Sequence, residues 1–194
     1  MNAEPHPWTL LRQWRDDAMR RDVPEPAWTV LATASTSGVP SARVVLVKRA
    51  DENGFVFFTN KESRKGAELL ANPCAALCYF WEETGRQLRV EGKVEQISDD
   101  ESDRYFQERA RASRVGAWAS KQSQPIAEEG GLMRRLEECE ARFRGQDVPR
   151  PPHWGGFRLV PSVVEFWREG KFRLHERIRY TKEDEQWKRE ALYP

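Results

Sequence analysis

The chain has little of what defines several common protein classes. Its three cysteines, Cys74, Cys78 and Cys139, are odd in number and form no CxxC pair. This argues against a disulfide framework or a structural zinc site, and it favours a reducing, cytoplasmic location. No stretch approaches the roughly 20 apolar residues of a membrane span, and the first residues contain no apolar signal core. We therefore expect a protein that is not exported.

The chain also lacks an excess of charge of either sign. Lys and Arg total 32 against 31 Asp and Glu, which leaves a net charge of +1. Such a balance gives no global field for gripping nucleic acid or an anionic membrane, so neither is an expected partner. Any site for an anion must be local.

Familiar catalytic patterns are absent as well. There is no GxSxG elbow, no strand followed by GxGxxG, and no carboxylate pair in a basic cluster. His6, His153 and His175 are scattered without metal-ligand spacing, so no metal site is predicted. A redox reaction whose hard chemistry belongs to a bound cofactor fits these absences.

What the chain does contain is a succession of short strands. At 194 residues it suits one compact domain. Runs rich in β-branched and aromatic residues, separated by turn signals, predict strands, the first three of which read as an antiparallel meander. The predicted strands are Trp28 to Ala34, Ala42 to Arg49, Phe55 to Thr59, Cys74 to Trp81, Arg86 to Ile97, Gly156 to Leu159, Val163 to Arg168, Lys171 to Tyr180 and Gln186 to Leu192.

Helices are fewer. Helical spacing of apolar residues predicts one from Trp8 to about Arg21, broken by Pro24 and Pro26, and another through Leu132, Leu136, Cys139 and Phe143. Ser63 opens a short helix that Asn72-Pro73 closes, and a capping box at Ser98 starts a helix that runs to about Arg109. The pattern favours a mainly β fold, an antiparallel barrel with peripheral helices.

Basic residues occur where a helix start disfavours them. Arg64 and Lys65 lie in the first turn of the helix that follows Ser63, where each cation opposes the helix dipole by a few tenths to about 1 kcal/mol. A phosphate there would meet free backbone N–H groups and both side chains. The alternative is a frayed helix end with both cations in water.

Two further clusters of basic and polar residues could also hold an anion. In the first, strand alternation would set Arg173, His175 and Arg177 on one face, with Trp167 as an aromatic neighbour. The alternative is a solvated basic edge that binds no anion. Tyr105 and Arg109 share a helix face, and Ser113 and Arg114 follow just past its end. A phenol, a guanidinium and a hydroxyl suit a phosphate monoester, although an aromatic packed in the core beside an exposed arginine is the more common arrangement.

Arg43 and Lys48 bracket the apolar run between them. Their odd separation places them on opposite faces of a regular strand. Either a bulge intervenes, or the two residues serve different groups, such as different phosphates.

Six motifs carry a family resemblance. They are RVVLVK (Arg43 to Lys48), SRK (Ser63 to Lys65), RQLRVEGK (Arg86 to Lys93), SKQS (Ser120 to Ser123), EFW (Glu165 to Trp167) and RLHER (Arg173 to Arg177). In this order and spacing they resemble the pyridoxamine 5'-phosphate oxidases over nearly the whole chain.

The resemblance implies an FMN-binding split β-barrel. It implies a single domain over residues 1–194, a C-terminal dimerisation segment at about 153–194, and a homodimer with two FMN sites at the interface. The residues that the resemblance assigns to FMN are Arg43, Val44, Val45, Leu46, Lys48, Phe58, Thr59, Arg64, Lys65, Gln87, Gln122, Ser123, Trp167 and Arg177.

The resemblance also implies a substrate site and a reaction. Lys48, Tyr105, Arg109 and Ser113 would bind the substrate phosphate, while Arg173 and His175 would approach the pyridine ring and its phenolic oxygen as the catalytic pair. The implied reaction oxidises pyridoxamine or pyridoxine 5'-phosphate to pyridoxal 5'-phosphate. It proceeds by hydride transfer to the flavin, which oxygen then reoxidises with release of hydrogen peroxide.

The chain departs from the family's pattern in places. It lacks the arginine- and tyrosine-bearing start that covers the substrate in some members, Phe58 replaces a frequent tyrosine, and Glu176 replaces a common aspartate. Two other functions stay open on this sequence. One is a flavin oxidase of the phenazine-biosynthesis kind, and the other is a non-catalytic flavin- or haem-binding barrel.

Overall fold

The computed structural model describes residues 6–20 and 28–194, so the predicted break at Pro24 and Pro26 lies outside the described residues. The helices are α1 (Pro7–Arg20), α2 (Arg64–Ala71), α3 (Asp99–Glu108), α4 (Arg111–Ala119) and α5 (Gly131–Arg142). The strands are β1 (Trp28–Ala34), β2 (Pro40–Asp51), β3 (Gly54–Asn60), β4 (Cys74–Trp81), β5 (Arg86–Gln96), β6 (Trp154–Arg168), β7 (Glu176–Glu183) and β8 (Gln186–Leu192). Within these residues, no helix is long and apolar enough to cross a membrane.

The strands form one antiparallel sheet that closes on itself. Their order is β3-β2-β1-β4-β5-β6-β7-β8, and a further pairing of β3 with β6 closes six of them into a barrel. The first half of β6 pairs with β3, from Trp154 opposite Asn60 to Leu159 opposite Phe55. The remaining strands, β7 and β8, extend the sheet beyond β6. The predictions of a mainly β barrel and of an initial antiparallel meander are confirmed.

Two apolar cores hold the fold together. The barrel interior contains side chains such as Phe55, Phe57, Leu88 and Leu159, none of them measurably exposed. Burial of each such side chain stabilises the fold by roughly 1.5 to 3 kcal/mol. The apolar face of α1 joins this core, where the ring of Trp14 meets that of Phe166. A smaller core joins α3, α4 and α5 to the start of β6.

The predicted pair of strands at Gly156 to Leu159 and Val163 to Arg168 is wrong, because the structure has one continuous strand, β6. Pro161 and Ser162 lie between the two predicted strands, and a β-bulge accommodates them within β6. Gly92 of β5 faces Pro161 and Glu91 faces Val163, which leaves Ser162 as the extra residue. A bulge is one of the few places in a sheet that tolerates proline.

The predicted strand from Lys171 to Tyr180 is wrong in its first half. Residues Lys171–Arg173 form a single 3-10 turn, and β7 begins only at Glu176. Phe172 and Arg173 adopt left-handed backbone angles, with φ of 57° and 62°. Strand alternation therefore does not apply to Arg173 and His175, and the prediction that they share one strand face with Arg177 fails.

Helix α4 was not predicted from the sequence. The capped helix α3 ends at Glu108, and Arg109 is extended rather than helical. A new helix starts at Arg111, so Ser113 and Arg114 lie within α4 instead of trailing past α3. The residue before it, Ala110, makes no side-chain capping bond, which explains why no start signal was visible.

The bulge between β5 and β6 generates a stability prediction. A Cβ atom at Gly92 would lie 2.0 Å from the carbonyl oxygen of Val160. We expect Gly92→Ala to lower the free energy of unfolding by about 1 to 3 kcal/mol, because the backbone must shift to relieve this overlap. Urea unfolding monitored by tryptophan fluorescence measures the change.

Gly116→Ala is the matched control. Its Cβ would meet nothing within 4 Å, and alanine in a helix is favoured over glycine by up to about 1 kcal/mol. Equal unfolding midpoints for the two variants would contradict the steric argument.

Candidate active site

A buried lysine lies at the start of α2. Ser63 caps the helix by accepting a hydrogen bond from the backbone N–H of Gly66. The side chain of Lys65 is buried, and its Nζ donates to Gln122 Oε1 at 2.9 Å, to Thr59 Oγ1 at 3.1 Å and to Ser63 Oγ at 3.3 Å. All three acceptors are neutral, so the bonds hold the ammonium group without cancelling its charge.

The neighbouring arginines have a carboxylate that Lys65 lacks. Glu68 lies within 2.9 Å of Arg64 Nε and 3.4 Å of the Arg43 guanidinium. Burial would raise the pKa of Glu68, but hydrogen bonds from Ser41, Thr33 and Arg64 outweigh it and lower the pKa to about 2. The sequence left a phosphate or a frayed helix end as the alternatives for Arg64, and the structure adds an ion pair with Glu68, which lies one helical turn away at the i,i+4 spacing.

Lys65 differs from Arg64 and Arg43 in that none of the described carboxylates pairs with its charge. Burial, and then the like charge of Arg43, lower the pKa of Lys65. Among the residues that the structure describes, no carboxylate offsets this charge. A buried cation hydrogen-bonded only to neutral oxygens is costly, and an anionic ligand would relieve that cost.

A second basic group surrounds an open cavity of about 540 Å³ between β2, β3 and the α3–α4 junction. The residues that line it are Leu46, Lys48, Phe58, Tyr105, Glu108, Arg109, Ala110, Ser113 and Trp154. An adjoining cavity of about 380 Å³ shares Phe58, Arg109, Ser113 and Trp154 with it, and it reaches Thr59 and Gln122 beside Lys65. The two cavities form one cleft, in which Lys48 lines the first cavity, Arg109 lines both, and Lys65 lies beside the second.

Aromatic rings form one wall of this cleft. Phe58 stacks on Tyr105 with ring centroids 4.0 Å apart and on Trp154 at 5.2 Å. The guanidinium of Arg109 lies 4.9 Å from the Trp154 ring, and the ammonium of Lys48 lies 5.8 Å from the Tyr105 ring. Burial lowers the pKa of Arg109, whose Nη1 is buried without a hydrogen-bond partner.

Ion pairs hold α3 against the barrel. The partly buried guanidinium of Arg150 contacts Asp103 at 2.5 Å, Asp99 at 2.8 Å and the carbonyl oxygen of Trp154 at 2.7 Å. From the barrel side, Arg49 pairs with Glu101 at 2.6 Å. These contacts fix the helix that carries Tyr105. These ion pairs were not predicted from the sequence, in which the row of acidic residues after Ser98 was the one local signal.

The position of Lys48 resolves the question raised by its spacing from Arg43. The pairing of β2 with β3 shifts register between Val47 and Arg49, so a bulge does occur at Lys48. Nevertheless Arg43 faces Glu68 while Lys48 lines the large cavity. The two residues therefore lie at different places, in agreement with the alternative that they serve different groups.

The remaining predicted residues gather elsewhere. Gln87, Trp167 and Arg177 face one another in register across β5, β6 and β7. His175 lies against Trp167 with ring centroids 4.6 Å apart, while Arg177 pairs with Glu165 at 2.8 Å. Arg173 is exposed, and so is Ser123 beside Gln122.

One chain does not bring these two groups around a single ligand. Trp154 in the cleft and Trp167 in the group around His175 lie near opposite ends of β6, up to about 40 Å apart at roughly 3.3 Å per residue.

The outer barrel face exposes apolar side chains, with Val44 61% and Trp28 57% exposed. Val44 and Val45, which both belong to the predicted FMN set, lie on β2. Such a face is typical of a protein interface.

The donors present fit a phosphorylated cofactor with an aromatic ring. Lys65 supplies a buried positive charge without a carboxylate, Thr59 and Gln122 supply polar groups beside it, and Arg109 supplies an unpaired buried N–H. Phe58 and Trp154 offer flat apolar surface along the same cleft. Fold and cleft together define a split β-barrel protein with a site for phosphate-bearing aromatic ligands.

Comparison with known proteins narrows this class. Residues 16–143 match the family described as pyridoxamine 5'-phosphate oxidase, and residues 154–194 match the pyridoxine 5'-phosphate oxidase C-terminal dimerisation region. The chain belongs to the pyridoxine/pyridoxamine 5'-phosphate oxidase family, a family of flavin oxidases. The dimerisation region indicates a homodimer.

Curated relatives carry the same family name. The chain is 53% identical over 182 residues to the pyridoxine/pyridoxamine 5'-phosphate oxidase of Burkholderia mallei (strain SAVP1), covering 94% of this chain and 85% of that protein. It is 55% identical over 170 residues to the one from Myxococcus xanthus (strain DK1622), covering 88% and 82%. The predicted family is confirmed.

Solved structures support the fold. PhzG from Burkholderia lata 383, in complex with tetrahydrophenazine-1-carboxylic acid, superposes with a TM-score of 0.93 at 34% identity, covering 100% of this chain and 95% of that one. A pyridoxamine 5'-phosphate oxidase-related, FMN-binding protein from Nostoc punctiforme has a TM-score of 0.75 at 21% identity, covering 98% and 100%. The split-barrel prediction is confirmed, and membership of a flavin oxidase family confirms FMN as the cofactor.

Removal of the Lys65 charge should affect cofactor affinity and apoprotein stability in different ways. We expect Lys65→Met to weaken FMN binding roughly 10-fold or more, because a charge-assisted contact contributes about 1.5 to 3 kcal/mol. The same change is expected to leave the apoprotein as stable or more stable, because it removes a buried cation that no carboxylate offsets. Flavin fluorescence titration measures the affinity, and urea unfolding of the apoprotein measures the stability.

Lys93→Met provides the comparison, since Lys93 is an exposed lysine on β5. It should change neither quantity appreciably. If Lys65→Met bound FMN as tightly as Lys93→Met does, Lys65 would have no part in holding the cofactor.

Proposed function

We propose that this chain oxidises pyridoxamine 5'-phosphate or pyridoxine 5'-phosphate to pyridoxal 5'-phosphate, with oxygen as the acceptor. The observation that carries the proposal is the cavity at the α3–α4 junction, where Lys48, Tyr105, Arg109 and Ser113 converge. Two cations, a phenol and a hydroxyl are the donors that a phosphate monoester requires. The unpaired Nη1 of Arg109 supplies a donor that needs an acceptor.

The cofactor site in this proposal is the part of the cleft near Lys65 together with the group around Trp167. Lys65, Thr59 and Gln122 suit the FMN phosphate, with Arg64 and Arg43 beside them. The barrel residues Val44, Val45, Leu46 and Phe58 would offer backbone and apolar contacts. Gln87, Ser123, Trp167 and Arg177 complete the proposed set. Because the two groups lie far apart in one chain, the proposal places each FMN site at the interface of a homodimer.

Catalysis then depends mainly on positioning. Bound FMN would supply the redox chemistry: it would take a hydride from the C4' carbon of the substrate and pass two electrons to oxygen, giving hydrogen peroxide. With the amine substrate, water would then release the nitrogen as ammonia. The phosphate-binding residues anchor one end of the substrate. Arg173 and His175 are proposed to approach the pyridine ring and its phenolic oxygen from the partner chain, where the ring of Trp167 supports His175.

A cytoplasmic location is part of the same proposal. Its support is the cysteines, because Cys74, Cys78 and Cys139 are all unpaired. Thiols that remain free are typical of a reducing compartment.

A phenazine-type oxidase is the second candidate. The close superposition with PhzG favours it, since that protein binds tetrahydrophenazine-1-carboxylic acid within the same fold. A split barrel alone does not choose between the two substrates. Lys48 and Arg109 place two positive charges around the same cavity, which favours a doubly charged phosphate over a singly charged carboxylate.

The substrate assignment has a direct spectroscopic test. We expect anaerobic mixing of the FMN-loaded protein with pyridoxamine 5'-phosphate to bleach the flavin absorbance, and aerobic turnover to release hydrogen peroxide. Unphosphorylated pyridoxamine at the same concentration is expected to react far more slowly. Bleaching by tetrahydrophenazine-1-carboxylic acid but not by the B6 phosphates would support the second candidate, and an unchanged spectrum with both would leave a flavin-binding module without oxidase activity.

Arg109 generates a separate kinetic prediction. We expect Arg109→Gln to raise the KM for pyridoxamine 5'-phosphate by about 10- to 150-fold, the equivalent of losing a charge-assisted contact of 1.5 to 3 kcal/mol. The kcat should change little, because the contact is made to a remote part of the substrate. Steady-state kinetics with pyridoxamine 5'-phosphate and with pyridoxamine measure this, and only the phosphorylated substrate should be affected.

Arg104→Gln, on α3 before Arg109, is the control. Arg104 is exposed, and the hydrogen bond that its side chain makes is to the backbone oxygen of Asp100. A similar rise in KM for both variants would indicate a general effect of charge rather than a phosphate contact.

A further inference from the structure

The segment between β6 and β7 has an unusual backbone. Two consecutive residues with side chains, Phe172 and Arg173, lie in the left-handed region, with φ of 57° and 62°. Residues other than glycine adopt this conformation at a cost, and such strain occurs preferentially at functional sites. A hydrogen bond from the N–H of Leu174 to the carbonyl oxygen of Lys171 closes the turn. The turn therefore holds a specific shape just before His175.

Gly170 makes that shape possible. A Cβ atom at this position would lie 2.0 Å from the carbonyl oxygen of Leu174 and 3.4 Å from the Cα of His175. Only glycine allows the two ends of the turn to approach so closely. The backbone N–H of Gly170 then donates a hydrogen bond to Nδ1 of His175 over 3.3 Å.

This bond determines which nitrogen of His175 carries the proton. A ring nitrogen that accepts a hydrogen bond must present its lone pair, so the proton of the neutral imidazole lies on the other nitrogen. Nδ1 is the acceptor here, which leaves Nε2–H as a donor. The ring of Trp167, 4.6 Å away between centroids, restricts the imidazole from the side.

We propose that Gly170 is a positioning residue that fixes His175 as an Nε2–H hydrogen-bond donor. The inference rests on the proposed function, in which His175 approaches the phenolic oxygen of the pyridine substrate. His175 then donates a hydrogen bond to that anionic oxygen and does not remove a proton from the substrate. Electrostatic stabilisation of this kind needs a donor whose orientation is set before the substrate binds.

The tautomer can be measured without any turnover. The chain has three histidines, so ¹⁵N-labelled imidazole signals of the FMN-loaded protein are few, and the signals missing from His175→Gln belong to His175. The expected spectrum has a protonated Nε2 and an unprotonated Nδ1. A protonated Nδ1 on a neutral ring would overturn the proposal. Because no substrate is present, this result does not depend on whether the chain oxidises B6 phosphates.

Two substitutions at His175 test the role of the donor. Glutamine places an amide N–H close to the position of Nε2, whereas asparagine places it near Nδ1. We expect kcat for pyridoxamine 5'-phosphate to fall at least 10-fold less in His175→Gln than in His175→Asn, with FMN retained in both. Equal losses in the two variants would overturn the donor role.

Gly170→Ala tests the turn itself. We expect it to lower kcat at least 10-fold while FMN stays bound, and to change the ¹⁵N signals of His175, because the alanine Cβ would displace the Leu174 carbonyl group. Gly131→Ala is the control, since its Cβ would make ordinary contacts of 3.4 Å at the start of α5. Unchanged His175 signals in Gly170→Ala would contradict the proposal. Absence of turnover in the unsubstituted protein would instead contradict the proposed function.

Discussion

The hydrogen-bonded pairing of β6 with β3 and β5 is the constraint on which the rest of the structure depends. It closes the barrel and, at the same time, brings the start of β6 beside α3 and α4. Trp154 at that start forms part of the cleft, whereas Trp167 near the other end supports His175. A single strand therefore carries parts of both groups of functional residues and keeps them apart. This separation is the physical reason for expecting a site shared between two chains.

The distribution of charge within the cleft follows from where carboxylates are available. Glu68 pairs with Arg64 and Arg43, and hydrogen bonds keep it ionised, with a pKa lowered to about 2. Lys65 and Arg109 receive no such partner in the described part of the chain, although burial lowers the pKa of each. The uncompensated positive groups therefore lie at two separate places along the cleft, Lys65 beside Thr59 and Gln122, and Arg109 where the two cavities meet. This arrangement suits the two phosphates that the proposed function requires, one from the cofactor and one from the substrate.

Local signals in the sequence predicted local structure well. The Ser98 cap appears as expected, and the bounds of β1 and β4 agree with the prediction, because capping and β-branched runs act over a few residues. The errors arose where distant contacts or backbone strain decide the outcome. The bulge at Ser162 needs the facing Gly92 to be understood. Residue spacing alone paired Tyr105 with Arg109. Only the resemblance placed Lys48 in the same site, because the approach of β2 to α3 has no local signature.

The similarity to PhzG shows why the substrate must be argued from side chains. Two proteins with almost the same backbone can act on different aromatic compounds, since the barrel provides only flat surface and cofactor contacts. Discrimination then depends on whether buried donors are left unpaired by the wrong ligand. A carboxylate carries one charge, whereas a phosphate monoester carries up to two and offers three terminal oxygens, so it can satisfy Lys48, Arg109 and a hydroxyl group together. The cost of leaving these donors unpaired is what would make the cleft selective for a phosphorylated substrate.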